Sequence, residues 1–289
     1  MTSPDFYTEK EQQLLSRIDG LCRNNTILAF SGGVDSALLL LLMKEASDKN
    51  GTRVLPVTFK TFLHPAADMA AAERICRELH TDHRVLAVDE MDNPAIADNP
   101  KDRCYLCKKM LFQKLLDLAE ELEVPSVADG TNADDLTVFR PGLRALAELG
   151  IKSPLAEAGF TKAEVRALAG KRELSVSGRP SAPCLATRFP YDTHLTKEGL
   201  RTVEEGEALL GKYISGNIRL RVHNNTARIE ADPDQFPTLI KHHEDITGAL
   251  RKLGFRYVTL DLAGFRSGSY DTCMTSPGRE QPKTGRKTK

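Results

Sequence analysis

The sequence predicts an α/β protein in which a doubly wound parallel sheet is followed by a smaller C-terminal α+β domain. Three observations lead to this prediction. Short apolar runs alternate with amphipathic helical segments between Ile27 and Asp129, which is typical of parallel strands connected by helices. A Ser-Gly-Gly turn separates the first apolar run from the helix that follows it. Beyond Pro190, two strands with alternating polarity precede a helix and a last strand.

The first domain begins with a polar helical segment at residues 7–24. The apolar run 27–30 has the length of a buried strand, and a helical run at 37–46 begins just after the glycine turn. Because doubly wound sheets bind ligands at the carboxyl ends of their strands, we expect a site at this turn. The further predicted strands are residues 54–59, 84–88 and 126–129, and the further predicted helices are residues 65–79 and 103–123.

We place the domain boundary near residue 178. Residues 150–177 form a crossover whose helix opens with a capping box at Thr161 and Glu164, and residues 178–183 then break regular structure. Asn224-Asn225 joins the first two strands of the second domain as a hairpin. The predicted elements there are helices 195–210 and 235–253 and strands 218–222, 227–231 and 257–262. The predicted units are residues 1–178, a loop and small α+β domain at residues 179–275, and a disordered basic tail at 276–289.

The charge distribution disfavours a nucleic-acid-binding function. The formal net charge is zero, but residues 279–289 hold five basic residues and one acidic residue, so the rest of the chain carries about −4. An acidic body is a poor electrostatic partner for RNA or DNA. No apolar run approaches the ~20 residues of a membrane span, and the polar N-terminus has no signal-peptide core. We therefore expect a cytoplasmic protein with no membrane partner.

Residues 31–36 are the most informative part of the chain. A strand, a glycine turn and a helix N-terminus leave backbone N–H groups aimed at one point, where the helix dipole favours an anion. Gly32 and Gly33 permit the close approach of a phosphate, and Ser31 and Ser36 can add hydroxyl donors. Asp35 suits such a site if a divalent cation lies between it and the phosphate. The turn is not a Walker A loop, because no Gly-Lys-Ser/Thr follows the glycines; an ordinary helix N-cap is the alternative.

Three cysteines form a second candidate site. Cys104 and Cys107 make a Cys-x-x-Cys, and Cys184 lies in an irregular loop between Arg179 and Arg188, whose charges should lower its thiol pKa. The chain has no second Cys-x-x-Cys for a four-cysteine zinc site, and its architecture does not suit a thioredoxin-like pair. A 4Fe-4S cluster normally takes four thiolates, so three would leave one iron open for an added sulfide.

The turn resembles the SGGxDS loop of the PP-loop ATP pyrophosphatase superfamily, whose fold is adenine nucleotide alpha hydrolase-like. Between residues 20 and 270, further motifs together resemble the LarE family, the ATP-dependent sulfur transferases of nickel-pincer cofactor (lactate racemase) biosynthesis. These motifs are residues 129–135, 140–142, 153–155, 157–159, 161–166, 183–191, 257–262 and 264–269. One departure is Thr187, where the family pattern suggests serine.

The resemblance implies a specific chemistry. ATP adenylates a carboxylate of pyridinium-3,5-biscarboxylic acid mononucleotide, pyrophosphate leaves, and sulfur attack gives a thiocarboxylate. Cys184 matches the cysteine that gives up its sulfur in the sacrificial version and remains as dehydroalanine. Cys104 and Cys107 place the chain with the members that hold a 4Fe-4S cluster, and retention of Cys184 is then favoured. The family also implies a homo-oligomer, a hexamer of paired trimers.

The sequence assigns candidate residues to each part of this reaction. Asp35 and Asp135 are the expected Mg²⁺ carboxylates, with Asp134 as a substitute. Gly130 and Asn132 are expected to line the ATP pocket. For the substrate phosphate, the candidates are Arg188, Arg266, and the pair Arg219 and Arg221, which lie two residues apart on one strand face.

Three other functions compete with this one. The strongest is a cluster-dependent tRNA thiolase, which would need a basic RNA-binding surface. An amide-forming ligase such as NAD or GMP synthetase would have no use for the three cysteines. A non-catalytic ATP-binding sensor domain would need neither the adenylation loop nor a cysteine flanked by cations.

Overall fold

The computed structural model describes residues 8–137, 140–178 and 183–266. The chain divides into two compact units between Glu204 and Glu205, rather than near residue 178 as predicted. The loop of Cys184 belongs to the first unit, where Leu185 N donates to Leu63 O (2.7 Å). Arg179, Cys273 and the predicted disordered tail lie outside the described residues.

The first unit contains a four-stranded parallel sheet in the order β3-β2-β1-β4, flanked by helices. This confirms the predicted doubly wound α/β class. The strands are β1 (Thr26–Ala29), β2 (Val54–Lys60), β3 (Arg84–Ala87) and β4 (Ser126–Ala128). The helices are α1 (Glu9–Leu21), α2 (Val34–Asn50), α3 (Ala66–Glu78), α4 (Pro94–Ala97), α5 (Arg103–Glu121), α6 (Pro141–Glu148), α7 (Pro154–Glu157), α8 (Lys162–Lys171) and α9 (Lys197–Leu210), the last of which crosses the division between units.

The core of the first unit is organised around β1 and α2. Helix α2 carries buried apolar side chains around most of its circumference, including Leu38, Leu39 and Leu40, as expected of a helix enclosed by neighbours. It packs in one apolar cluster with residues of α1 and α8. The turn between β1 and α2 is therefore held at both ends by buried elements. Within the part of the chain that the structure describes, no helix has the length and apolarity required to cross a membrane.

The second unit contains a three-stranded sheet in the order β5-β6-β7. Strands β5 (Ile218–His223) and β6 (Thr226–Ala231) are antiparallel and are joined by the predicted Asn224-Asn225 turn, in which Asn224 has φ +53°. Strand β7 (Tyr257–Leu260) pairs in parallel with β6. One face of the sheet contributes Leu220, Ala227 and Ile229 to an apolar core.

The helical segment of the second unit differs from its prediction. In place of one helix over residues 235–253, the chain forms α10 (Phe236–Lys241) and α11 (His243–Lys252). His242 has non-helical angles and ends α10 with a tight turn, in which its N–H donates to the carbonyl oxygens of both Ile240 and Thr238. The apolar period continues through the break, since Leu239, Ile246 and Leu250 are all buried, and this explains why the pattern predicted a single helix.

Replacing Gly32 with alanine should destabilise the fold by more than backbone strain alone. Gly32 has φ +69°, and a Cβ atom there would lie 2.6 Å from Ala72 N and 2.9 Å from Ala72 Cα on α3. The matched control is Gly51, which also has φ +69° but would place its Cβ in open space. We expect Gly51→Ala to cost about 1 kcal/mol from the left-handed conformation. Gly32→Ala should cost a further ~1–3 kcal/mol from overpacking.

Chemical denaturation of the two variants measures this difference in the free energy of unfolding. Equal values for Gly32→Ala and Gly51→Ala would show that the loop can move away from α3 at little cost.

Candidate active site

The turn between β1 and α2 is closed by its two serines. Ser36 Oγ donates to Gly33 O (3.1 Å) and lies 3.2 Å from Ser31 Oγ, and Gly33 N donates to Ser31 Oγ (3.3 Å). Gly33 is the N-cap of α2, and no side chain caps the helix there. Both hydroxyls thus lie beside a helix N-terminus that favours an anion, as predicted for a phosphate loop.

The second motif, residues 129–135, packs directly against this turn. A Cβ atom at Gly130 would lie 2.9 Å from Ser36 N, so only glycine allows the two backbones to approach so closely. Asp129 accepts hydrogen bonds from Thr131 Oγ1 (2.5 Å) and Ser153 Oγ (2.6 Å). The structure therefore brings together the predicted ATP residues of both motifs.

Asp35 has two partners that connect it to the second motif and to α8. Asn132 Nδ2 donates to Asp35 Oδ1 (3.1 Å), and Lys162 Nζ forms an ion pair with Asp35 Oδ2. Lys162 entered the sequence prediction only as part of the capping-box motif, because a pair separated by 127 positions leaves no local pattern. The structure adds it to the candidate site as a cation beside the phosphate loop.

The carboxylates predicted for Mg²⁺ all have protein partners: side-chain cations for Asp35 and Asp135, and a backbone N–H for Asp134. Asp135 pairs with Arg140 Nη1 (2.8 Å), and Asp134 accepts from Lys162 N (2.9 Å). Over residues 8–137, 140–178 and 183–266, no group of three or more His, Cys, Asp or Glu side chains is arranged to hold a metal ion. Since Mg²⁺ bound with nucleotide phosphates needs only one or two protein carboxylates, Asp35 and Asp135 at the cavity wall still fit such a role.

One cavity of about 730 Å³ in the first unit contains both candidate sites. Its wall includes Ser31, Asp35 and Ser36 from the phosphate loop and Gly130 from the second motif. The same wall includes the three cysteines, which the sequence separates by up to 80 positions: Cys104, Cys107 and Cys184. A bound ATP and a reactive sulfur could therefore meet within one enclosure.

Cys184 does not have the lowered thiol pKa that the flanking arginines suggested. Burial raises the pKa of Cys184, and the nearby Arg103 guanidinium offsets this only in part. Burial also raises the pKa of Cys107 well above its ordinary value. The cation that acts on Cys184 is thus Arg103, which the sequence prediction did not include. Cys104 is exposed, whereas Cys107 is buried.

Two ionisable side chains near the cysteines were missed at the sequence level. His64 lines the cavity, and burial together with the charge of Lys108 lowers its pKa to about 4, so its ring is neutral at pH 7. Glu90 is fully buried, and burial raises its pKa. Its Oε1 atom has no hydrogen-bond partner among the described residues. Thr61 Oγ1 lies 2.7 Å from His64 Nδ1 and also interacts with Glu90.

Arg188 has a different environment from the one expected for a phosphate ligand. Its side chain is among the largest fully buried ones in the described chain. Its Nη1 donates to Pro183 O (2.8 Å), Cys184 O (3.2 Å) and Thr187 Oγ1 (2.9 Å). Thr187 Oγ1 itself donates to Cys184 O (2.8 Å), so the threonine uses its hydroxyl within the loop. Arg188 therefore braces the backbone around Cys184, and its contact with substrate remains a prediction.

The other predicted phosphate ligands belong to the second unit. Arg219 and Arg221 are both nearly buried on β5; Arg219 Nη1 donates to Ile218 O (2.6 Å), and Arg221 Nη2 pairs with Glu230 Oε2 (3.0 Å). Arg266 is exposed. Arg219 and Arg221 lie on one strand face, as predicted. The substrate role of these two residues and of Arg266 remains a prediction.

Comparison with known proteins gives one domain match and several relatives. A family model described as a PP-loop domain matches residues 6–105. The chain is 35% identical to an uncharacterized protein of Synechocystis over 87% of this chain and 94% of the relative. It is 33% identical to the pyridinium-3,5-bisthiocarboxylic acid mononucleotide synthase of Lactiplantibacillus plantarum, over 92% of this chain and 95% of the relative.

Similarity to tRNA-modifying enzymes is weaker and partial. The tRNA-specific 2-thiouridylase MnmA of Parvibaculum lavamentivorans is 27% identical over 59% of this chain and 52% of the relative. The nearly full-length match to the synthase therefore carries more weight than the partial match to the thiouridylase.

The burial of the cysteines predicts their order of alkylation in the metal-free protein. Iodoacetamide at pH 7 should modify the exposed Cys104 first and Cys184 slowly, because a raised pKa leaves little thiolate at that pH. The Cys184 rate should keep rising as the pH passes 9. Cys76, whose pKa burial raises to about 11, is the slow internal control. Peptide mass spectrometry measures each rate, and equal rates for Cys184 and Cys104 at pH 7 would contradict the burial argument.

Proposed function

The chain belongs to the LarE family of PP-loop enzymes, which are ATP-utilizing sulfur transferases, and on this premise we propose its substrate and reaction. The enzyme adenylates a carboxylate of pyridinium-3,5-biscarboxylic acid mononucleotide and replaces a carboxylate oxygen with sulfur. The single observation that supports this most is the cavity that contains the phosphate loop and the three cysteines. A ligase without sulfur chemistry would have no use for cysteines at that wall.

Adenylation is assigned to the phosphate-loop end of the cavity. A carboxylate oxygen of the substrate attacks the α-phosphorus of ATP, the α–β bridge breaks, and pyrophosphate leaves. Ser31, Ser36 and the α2 N-terminus are positioned to stabilise the negative charge of that leaving group. Lys162 adds a positive charge beside the loop. Asp35 and Asp135 would hold a Mg²⁺ ion, which supplies further charge neutralisation on the phosphates.

Sulfur transfer is assigned to the cysteine end. A sulfur nucleophile attacks the acyl-adenylate carbon, AMP leaves with the carboxylate oxygen, and a carbon–sulfur bond replaces it. If Cys184 is the donor, its thiol proton is lost on attack. The Cβ–S bond then breaks by elimination of the Cα proton, leaving a thiocarboxylate and dehydroalanine. If hydrosulfide is the donor, it loses its proton and Cys184 is unchanged.

The three cysteines fit the donor set of a 4Fe-4S cluster. Each thiolate of such a cluster binds a different iron, so the sulfurs need only line one enclosure and need not converge on a single ion. Cys104, Cys107 and Cys184 would hold the cluster, which would supply a reusable sulfide in place of the sulfur of Cys184. Because Cys184 would then be a cluster ligand, we favour its retention. The proposed ligands of the substrate phosphate are arginines of the set Arg188, Arg219, Arg221 and Arg266. The proposed assembly is a homo-oligomer.

Whole-protein and product mass spectrometry tests the proposal. Anaerobically purified protein, with and without iron–sulfur reconstitution, is incubated with ATP, Mg²⁺, sulfide and the pyridinium mononucleotide. We expect AMP, pyrophosphate and a product in which sulfur replaces oxygen. Cys184→Ala should abolish the thiocarboxylate while AMP still forms in the presence of substrate. Cys76→Ala, which removes a buried cysteine outside the cavity, is the matched control and should retain both activities.

The same experiment separates the two sulfur sources and the rival substrate. Loss of the mass of hydrogen sulfide from Cys184 after turnover would establish the sacrificial route, and an unchanged mass over several turnovers would establish retention. Absence of thiocarboxylate with both forms of the protein, together with tight and salt-sensitive tRNA binding, would replace the proposal with tRNA thiolation.

A further inference from the structure

We propose that Asn99 and Arg103 form a clasp that positions the two cysteine-bearing segments relative to one another, with Arg103 as the positioning residue for the sulfurs. The segments are the start of α5, with Cys104 and Cys107, and the loop that follows Cys184. The role of the clasp in sulfur chemistry rests on the proposed function, but the contacts that form the clasp do not depend on any substrate. Neither residue belongs to the motifs from which the sequence assigned the site.

Asn99 joins the two segments through both its side chain and its backbone. It is fully buried and adopts φ +54°, a left-handed conformation that asparagine tolerates better than most residues. Its Nδ2 donates to Pro190 O (2.7 Å), and its backbone oxygen accepts from Asp192 N (3.0 Å). The chain six and eight residues after Cys184 is therefore attached to the side chain and the backbone of one buried asparagine.

The side-chain amide of Asn99 also orients Arg103, which begins α5. Asn99 Oδ1 accepts a hydrogen bond from Arg103 Nη1, on the opposite side of the amide from Pro190. Arg103 Nη2 in turn approaches Cys104 Sγ (3.7 Å). One continuous chain of contacts thus runs from the loop after Cys184, through Asn99 and Arg103, to the first cysteine of the Cys-x-x-Cys.

The charge of Arg103 suits this position. Its side chain is 4% exposed, and it interacts electrostatically with both Cys184 and Cys104. Burying a cation is costly unless it is paired, and the groups that interact with Arg103 are the Asn99 amide, the sulfurs of Cys104 and Cys184, and Tyr191. Thiolates gathered at one wall repel one another, and a guanidinium among them offsets that repulsion. A planar group with several donors can serve Asn99 and sulfur at once, which an ammonium cannot do in the same geometry.

Four variants test the clasp. Arg103→Met removes the charge and the donors, and Arg103→Lys keeps the charge but loses the planar arrangement of the donors. Asn99→Gly permits the left-handed backbone but removes the amide. Arg166→Met is the matched control, because Arg166 is a partly buried arginine of α8 that donates to Ser177 O (3.2 Å) and does not line the cavity.

Two readouts are needed so that failure of the cluster and failure of the clasp are distinguishable. The first is Cd²⁺ binding to the metal-free protein, followed by the sulfur-to-metal charge-transfer absorption, which reports thiolates bound to Cd²⁺. The second is iron and sulfide per chain after anaerobic reconstitution, with the reduction potential of the product. A thermal unfolding curve for each variant identifies loss of the fold.

We expect Arg103→Met to weaken Cd²⁺ binding and to lower iron content at least fivefold, with Arg103→Lys and Asn99→Gly intermediate and Arg166→Met unchanged. The residual cluster of Arg103→Met should have a more negative reduction potential than that of the wild type, because a nearby positive charge is lost. A cluster retained by Arg103→Lys, which keeps the charge, should have a reduction potential nearer that of the wild type. A folded Arg103→Met protein with wild-type Cd²⁺ and iron binding would overturn the inference. If Arg103→Met does not fold, wild-type binding by Asn99→Gly would overturn it instead.

The outcomes also separate this inference from the reaction. If the wild type takes up no iron but Arg103→Met loses Cd²⁺ binding, the clasp stands and the cluster does not. If Arg103→Met binds both metals normally while the wild type forms thiocarboxylate, the proposed function stands and the clasp does not.

Discussion

The site depends on one steric constraint: three stretches of backbone meet at the N-terminus of α2, closer than any side chain would allow. Gly32 lies against Ala72 of α3, and Gly130 lies against Ser36. Because β1 and α2 are both buried, the turn cannot relax outward without disturbing the core. The close approach is what places the second motif, with Asn132, within reach of Asp35.

The elements of the first unit could be predicted from the sequence because their patterns are local. The apolar run before Ser31 has the length of a strand, and the capping box at Thr161 and Glu164 is present as predicted. The break at His242 was missed, since the apolar period continues across it. The boundary near residue 178 followed a local change of composition. The compact division near Glu204 depends instead on long-range contacts of the Cys184 loop with Leu63 and Asn99, which composition does not reveal.

The same distinction between local patterns and long-range contacts applies to the residues of the candidate site. Residues within recognisable motifs lie at the cavity, as Ser31, Asp35 and Cys184 do. Their partners could not be predicted, because Lys162, Arg103 and Glu90 acquire their roles only through folding. Arg188 shows the converse: a cation near a cysteine in sequence can turn its guanidinium toward carbonyl oxygens, while a cation distant in sequence approaches the sulfur. A cationic residue near a cysteine in sequence thus indicates that the site is electropositive, but it does not indicate which atom the cation contacts in the folded protein.

The ion pair between Lys162 and Asp35 has a consequence for the order in which ligands arrive. An ammonium group already neutralises the carboxylate, so a divalent cation that approached alone would have to displace it and would gain little. A cation that arrives bound to a polyphosphate brings negatively charged oxygens, and the Lys162 ammonium can pair with these in place of Asp35. The empty enzyme should therefore have little affinity for magnesium, and the metal and the nucleotide should enter together as a single complex.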